Sequence, residues 1–231
     1  MAHNIYLLRH GSVTGNAALY GSTDIDVLPE VNQTIMQGIR ERQLVFSQVY
    51  SSPLQRCKKL AELIAKNCTT TAFDKINVTD DLKEMHFGFF DGVAFDDIYE
   101  NKSQWQLLEK FWQSPTQYGL PEAESITDFY LRVERQWRDI FHKIDRHSVM
   151  NEEANTLIVA HGGVIRMILA SILDDDIHQP AWYEGYSIGY GSLTHLSIES
   201  NQVSVNWIGK PCSTSCLTKN KSHSLEATDN E

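Results

Sequence analysis

Two short apolar runs that each end in a histidine constrain the fold of this chain more than any other feature of its sequence. Residues 4–9 lead into His10, residues 155–160 lead into His161, and a glycine follows each histidine. Short runs that are apolar along their whole length are typical of strands buried on both faces of a parallel sheet. Ligands bind beyond the carboxyl ends of such strands, so the two histidines are expected to converge on one small ligand.

Strand and helix signals alternate along the rest of the chain. This alternation implies parallel βαβ units, and the expected fold is α/β, a three-layer α/β/α sandwich with a mostly parallel sheet. The further predicted strands are residues 46–51, 76–78, 192–198 and 203–208, and the predicted helices are residues 31–45, 53–66, 125–145 and 164–173.

A single folded domain is expected over residues 1–210, with a helical insertion at about 94–124 on the substrate side. After residue 210 the composition shifts to Ser, Thr, Lys and Asn, with almost no large apolar side chain. Such a segment buries too little apolar surface to fold, so residues 211–231 are predicted to form a disordered tail.

The charge balance limits the partners that this chain can bind. Its 231 residues carry 30 acidic and 20 basic side chains, a net charge of −10. Nucleic-acid binding needs a basic face, so we expect no nucleic-acid partner. No apolar stretch approaches the roughly 20 residues that span a bilayer, and no secretory signal is present, so a cytoplasmic protein without a membrane partner is predicted. An exposed edge strand could pair two copies into a homodimer.

The arginine that precedes the first histidine favours phosphate chemistry over metal chemistry at this site. A metal site would need carboxylate or further histidine ligands, but the sequence has no H-E-x-x-H pattern, and Arg9 would repel a cation. A guanidinium instead binds an oxyanion through two hydrogen bonds. A neutral imidazole, such as that of His10, can then act as a nucleophile on phosphorus. The pattern therefore favours a small phosphorylated metabolite as ligand, with no metal and no cofactor.

Four motifs, in this order along the chain, resemble those of the histidine phosphatase superfamily, whose fold is also called phosphoglycerate mutase-like. They are R-H-G at 9–11, S-S-P-L-Q-R at 51–56, L-K-E-M-H-F-G at 82–88 and H-G-G at 161–163. Asn16 stands where the opening motif of the family has its Asn, and Gly21 begins a G-x-x-D. One R-H-G would be a weak signal, whereas four motifs in order are specific.

The resemblance implies a role for each motif residue. His10 would attack phosphorus and become phosphohistidine, and Glu84 would protonate the leaving alcohol and then deprotonate water. The implied catalytic residues are His10, Glu84, His161, Arg9 and Arg56, of which His161 and the two arginines would bind the phosphoryl oxygens. The implied substrate-binding residues are Asn16, Gly21, Ser22 and Gly162.

Residues 84–92, with the sequence E-M-H-F-G-F-F-D-G, are similar to the α-ribazole phosphatase group of the superfamily. That group removes a 5′-phosphate during assembly of the nucleotide loop of cobalamin, so α-ribazole 5′-phosphate is the expected substrate. A broad-specificity or sugar-phosphate phosphatase, or a mutase-like enzyme, uses the same catalytic set and stays open. A regulatory module that only binds phosphate is the alternative of another class, but it would have no need of both His10 and Glu84.

Overall fold

A six-stranded sheet runs through the molecule with helices on both of its faces. The computed structural model describes residues 3–70, 75–148, 155–180, 182–200 and 202–213. The strands are β1 His3–Arg9, β2 Gln48–Ser51, β3 Asn77–Val78, β4 Asn155–Ala160, β5 Ser192–Glu199 and β6 Gln202–Pro211. The helices are α1 Pro29–Glu41, α2 Gln55–Asn67, α3 Phe95–Tyr99, α4 Lys102–Gln113, α5 Ile126–Ser148 and α6 Gly162–Leu173.

The strand order in the sheet is β3-β2-β4-β1-β5-β6. The four strands from β3 to β1 are parallel, while β5 pairs antiparallel with β1 and β6 pairs antiparallel with β5. In the middle of the sheet, Val159 lies opposite Leu8 of β1 and opposite Ser51 of β2. The prediction of a mostly parallel sheet is confirmed.

Alternate residues of the central strands point to opposite helical layers. Ile5 and Leu7 of β1 belong to the core cluster under α5 and α6, whereas Tyr6 and Leu8 belong to the cluster under α1 and α2. All four are at most 8% exposed. Because both faces of these strands are covered, the strands read as continuous apolar runs rather than as alternating ones. The predicted three-layer sandwich is confirmed.

The helix boundaries differ from the prediction by up to four residues, and the backbone explains two of these shifts. The first helix ends at Glu41 rather than at residue 45, because Gln43 adopts a left-handed conformation with φ of +55°. The second helix begins at Gln55 rather than at residue 53, since Leu54 is extended. In place of a cap from the helix itself, the carboxylate of Asp24 accepts the N–H of Gln55 at 2.7 Å.

The folded part of the chain continues past the expected boundary at residue 210. Strand β6 ends at Pro211, and the side chain of Cys212 is only 1% exposed. Arg42 donates to the carbonyls of Pro211 and Cys212, which fastens this end of the chain to α1. Residues 211–213 are therefore part of the fold, and the rest of the predicted tail lies outside the described residues. Within the described ranges, no helix is long and apolar enough to cross a membrane.

Candidate active site

Three neighbouring strands bring the sequence motifs to one edge of the sheet. Strand β4 lies between β1 and β2, so His10, His161 and Ser52 follow strand ends that are side by side. The N–H of His10 donates to the carbonyl of Ala160 at 3.2 Å, and that of Ser52 donates to the carbonyl of Val159 at 3.1 Å. The rings of His10 and His161 lie with their centroids 5.2 Å apart.

In the imidazole of His10, Nδ1 is hydrogen-bonded within the protein and Nε2 is left without a hydrogen bond among the described residues. Its Nδ1 lies 2.8 Å from the carbonyl oxygen of Gly11, which assigns the proton to Nδ1 and the lone pair to Nε2. Burial, followed by the charges of Arg9 and Arg56, holds the pKa of His10 well below 6.5. The ring is therefore neutral at pH 7, and it lines a cavity of about 130 Å³.

Both nitrogens of His161 are used within the protein. Nδ1 accepts from Nε of Arg56 at 3.2 Å, so the proton is on Nε2, which lies 2.8 Å from Oγ of Ser52. Burial, then the nearby His10 and Arg56, keep the pKa of His161 well below 6.5. A phosphoryl oxygen can reach the Nε2 proton only by replacing the serine hydroxyl.

Arg56 is fully buried at the start of α2 and acts as a tether. Its Nη1 donates to the carbonyl of Thr23 at 2.8 Å, and its Nη2 donates to the carbonyls of Tyr20 and Gly21 at 2.9 and 2.7 Å. With the bond to His161, four of its five N–H groups are occupied. Arg56 thus fixes the loop of residues 20–23, and one of its five N–H groups takes no part in these bonds.

Arg9, at the end of β1, has more donors free than Arg56 has. Its Nη1 donates to the carbonyl of Ile188 at 2.6 Å, and its guanidinium carbon lies 3.8 Å from the ring centroid of Tyr190. Nε is buried without a partner among the described residues. Since Arg9, His10 and Tyr190 line the same cavity, this guanidinium is the group best placed to bind an oxyanion there.

The carboxylate of Glu84 lies against the first turn of α6. Its Oε2 accepts from the N–H of Gly163 at 3.0 Å, and its Oε1 accepts from the N–H of Met85 at 3.1 Å. A Cβ at position 163 would fall 2.2 Å from Oε1, so only glycine leaves room for the carboxylate. Glu84 also lines the cavity that contains His10, which puts the two predicted reacting groups at one site.

Asp91 joins the loop of residues 20–23 to the segment that carries Glu84. Its carboxylate accepts from the N–H and hydroxyl groups of Ser22 and Thr23 and from the N–H of Phe87, over 2.6–3.2 Å. Although burial opposes the shift, these hydrogen bonds lower the pKa of Asp91.

The four predicted substrate-binding residues lie at different places. Gly162 begins α6, where a Cβ would lie 3.3 Å from the guanidinium carbon of Arg9. Gly21 is buried, with its carbonyl on Arg56, whereas Ser22 is exposed and its hydroxyl is engaged by Asp91. Asn16 is exposed and does not line the cavity. Only Gly162 is thus directly beside the guanidinium of Arg9.

A second cavity, of about 200 Å³, adjoins the first. Leu19, Glu84 and Phe87 line both cavities, so Glu84 stands at their junction. Aromatic side chains make up much of the second wall, namely Phe87, Phe111, Trp112, Phe129, Trp182 and Tyr183. Helix α4, within the predicted insertion, supplies two of them. We name this space the aromatic cavity.

Several residues of the site carry no motif that sequence reasoning could have used. Tyr190 follows no recognisable pattern, and its place under Arg9 exists only once β5 pairs with β1. Arg166 follows H-G-G by one helical turn, and this spacing is a signal that could have placed it at the same helix end. Within the described residues, no group of three or more His, Cys, Asp or Glu side chains could hold a metal ion.

The fold and the site together are those of an α/β phosphatase that depends on histidine. Residues 5–210 match the sequence profile of the histidine phosphatase superfamily (branch 1). The chain therefore belongs to that superfamily, as the four motifs predicted, and it is an enzyme of the phosphatase class.

The individual relatives have low sequence identity to this chain. A protein of Salmonella arizonae named probable phosphoglycerate mutase GpmB is 28% identical over 186 residues, which cover 78% of this chain and 77% of the relative. The structure of YhfR from Bacillus stearothermophilus has a TM-score of 0.72 at 24% identity, covering 90% of this chain and 97% of that one. The α-ribazole phosphatase of Shigella flexneri has a TM-score of 0.69 at 17% identity, covering 91% and 97%. These two structures share the fold.

Arg132 of α5 supports the segment that carries Glu84. Its five N–H groups donate to the carbonyls of Asp81, Lys83 and Glu84 and, twice, to the carboxylate of Glu124, over 2.6–3.1 Å. The arginine and its acidic partner are 17% and 19% exposed at their side chains. Loss of this guanidinium would leave a largely buried carboxylate and three carbonyls without a donor.

We expect Arg132→Met to lower the free energy of unfolding by about 3 kcal/mol, because it leaves a largely buried charge unpaired, and to lower kcat by displacing Glu84. Urea denaturation and steady-state hydrolysis of an aryl phosphate measure the two effects. Arg135→Met is the matched control, since Arg135 lies on the same helix with its side chain 65% exposed. Equal behaviour of the two variants would contradict the supporting role of Arg132.

Proposed function

We propose that this chain hydrolyses phosphomonoesters through a phosphohistidine at His10, using its own side chains in place of a metal ion. The observation that carries the proposal is the state of His10, whose Nδ1 is fixed on Gly11 while Nε2 keeps a free lone pair. Its neutral ring shares a cavity with Arg9 and Glu84. A nucleophile, a cation and a carboxyl group are the parts that two-step phosphoryl transfer needs.

In the first step, the Nε2 lone pair of His10 forms the N–P bond as the P–O bond to the leaving group breaks. The carboxyl group of Glu84 gives a proton to the departing oxygen, so that an alcohol leaves. The positive charge of Arg9 offsets the negative charge on the equatorial oxygens of the phosphoryl group. Arg56 adds its remaining N–H and keeps the loop of residues 20–23 in place.

In the second step, water attacks phosphorus from the side that the alcohol has left. The Glu84 carboxylate takes a proton from this water as the O–P bond forms, which returns the carboxyl to its starting state. The N–P bond breaks, its electron pair returns to Nε2, and inorganic phosphate leaves. The low pKa of His10 makes its neutral imidazole a good leaving group in this step.

Replacement of the nucleophile tests the mechanism directly. We expect His10→Ala to lower kcat for 4-nitrophenyl phosphate by about 10³-fold or more, because no other group takes over the covalent step. Chelation of metal ions with EDTA should leave the wild-type rate unchanged. Alkaline quenching and mass spectrometry should find phosphate on the peptide that contains His10. His178→Ala, at an exposed position, is the control, and comparable turnover in both variants would overturn the proposal.

The leaving-group dependence of Glu84→Gln tests the acid–base role. For benzyl phosphate, whose alkoxide needs a proton, kcat/KM should fall by about 10²–10⁴-fold. For 4-nitrophenyl phosphate, whose anion leaves unaided, a burst of nitrophenol should persist ahead of slow turnover, because only the water step still needs the carboxylate. Glu100→Gln, at an exposed residue after α3, is the control. Equal loss of the first step with both esters would contradict the role.

For the substrate, we propose α-ribazole 5′-phosphate, on the resemblance of residues 84–92 and on the aromatic cavity beside Glu84. The solved relatives include an enzyme of that name, whereas the sequence relatives are named for phosphoglycerate mutase. We expect kcat/KM for α-ribazole 5′-phosphate to exceed the values for 3-phosphoglycerate and fructose 2,6-bisphosphate by at least about 10-fold, since only the first offers a flat ring to these walls. Equal values would instead indicate a broad-specificity phosphatase.

A further inference from the structure

Two residues that line the aromatic cavity each carry a buried N–H group that has no acceptor among the described residues. These groups are Nε of Arg166, on the second turn of α6, and Nε1 of Trp182. Buried donors are almost always satisfied, because burying one without an acceptor sacrifices its hydrogen bond to water. Two such donors in one cavity beside a reaction site indicate that the acceptor is supplied from outside the chain.

Two other arginines around the site have most or all of their N–H groups on protein acceptors. Arg56 has four of its N–H groups on protein acceptors, and Arg132 has all five so placed. Arg166, in contrast, has no hydrogen bond or ion pair with any described residue. A structural arginine would have the pattern of Arg132, whereas Arg166 has the pattern of a ligand-binding side chain.

The walls of the cavity define the shape of the group that it accepts. Phe87, Phe111 and Phe129 surround a space of about 200 Å³, and an apolar cavity of about 150 Å³ is enough for a benzene ring. Aromatic walls favour a flat ring, which can stack on their faces or meet their edges. A polyol or a short anionic chain would lose its hydration at these walls without gaining comparable contacts.

The charges around Arg166 define the acceptor. Burial and the positive charge of Arg9 lower the pKa of Arg166, and the negative charge of Glu84 opposes them. Of these two charged side chains, only Glu84 lines the aromatic cavity, and it forms no ion pair with Arg166. A carboxylate on the ligand would have to share this space with the carboxylate of Glu84, which repels it. A neutral acceptor, such as a ring nitrogen or a carbonyl oxygen, receives the two N–H groups without this repulsion.

We propose that the aromatic cavity binds the leaving group, and that Arg166 and Trp182 select a flat aromatic or heteroaromatic ring that carries a neutral hydrogen-bond acceptor. This inference rests on the proposed phosphatase function. Arg166 lies near the phosphate end of the site, because a Cβ on Gly162 would lie 3.4 Å from its Nη1 and 3.3 Å from the guanidinium carbon of Arg9. It lines the aromatic cavity and not the cavity of His10, which assigns it to the leaving group rather than to the phosphoryl group.

The test compares esters that differ only in one ring atom. Benzyl phosphate has no ring acceptor, whereas the 2-, 3- and 4-pyridylmethyl phosphates place a nitrogen at each position around a ring of the same shape. We expect wild-type kcat/KM for the best pyridyl isomer to exceed that for benzyl phosphate by about 10-fold or more, as for a hydrogen bond to a charged donor.

Two variants remove the donors separately. Arg166→Met and Trp182→Phe keep most of the side-chain volume, and each should lower kcat/KM for the best pyridyl ester several-fold more than that for benzyl phosphate. Because Arg166 has no hydrogen bond or ion pair with any described residue, its variant should have an unchanged or higher Tm. Arg138→Met and Trp105→Phe are the controls, since Arg138 pairs with Glu134 on the surface and the indole of Trp105 donates to Glu109. Both controls should keep the wild-type preference.

Other outcomes would overturn the inference. Equal losses on all esters in Arg166→Met, together with weaker inhibition by inorganic phosphate, would show that Arg166 binds the phosphoryl group. If the wild type showed no preference for the pyridyl esters over benzyl phosphate, Arg166 and Trp182 would not recognise the ring acceptor. The same would follow if the preference survived in both variants. If benzyl phosphate is hydrolysed by the wild type but not by His10→Ala, the phosphatase function holds even when this inference fails. Failure of the inference can therefore be distinguished from failure of the proposed function.

Discussion

The pairing of β4 with β1 on one side and with β2 on the other is the constraint on which the site depends. Parallel pairing aligns strand ends, so residues that are more than 100 positions apart along the chain become neighbours at one edge. The bond from the N–H of His10 to the carbonyl of Ala160 continues this ladder past the strands and sets the two histidine rings 5.2 Å apart. The helices that follow the strands then add Arg56 and the N–H of Gly163 from the same side.

The second constraint is electrostatic, since arginines surround histidines that are buried. Removing an imidazole from water already disfavours its charged form, and the neighbouring guanidinium groups disfavour it further. The outcome is an imidazole at position 10 that is neutral at pH 7 in a cationic environment, which is what the proposed attack on a phosphate dianion requires. The arrangement keeps positive charge on the arginines, which hold it at any physiological pH, and leaves the lone pair on His10.

The residues of this site that could be predicted from the sequence are those marked by short sequence patterns around them. A short apolar run is typical of a buried strand, so His10 and His161 could be placed at strand ends before the fold was known. Glu84 required the resemblance of its whole motif, because a single acid before Phe-Gly has no distinctive local signal. Tyr190 and Asp91 act through residues about 180 and 70 positions away, and such contacts exist only in the folded chain. Helix boundaries shifted for a similar reason, as the N–H of Gln55 finds its acceptor 31 residues upstream.

Three arginines around the site differ in how many of their N–H donors the protein already satisfies. This difference distinguishes arginines that hold the fold together from arginines that can bind a ligand. Arg56 has one N–H left and holds a loop, Arg9 has one bond and a stacking ring, and Arg166 has no partner among the described residues. A donor that the fold leaves unsatisfied lowers stability until a ligand arrives, so such donors concentrate where binding must occur. The net charge of −10 belongs to the whole chain, whereas a small phosphate ester meets this local cluster, with more distant charges screened over about 8 Å at physiological salt. An extended polyanion would instead meet the net negative charge of the whole chain, which supports the proposal of a small substrate.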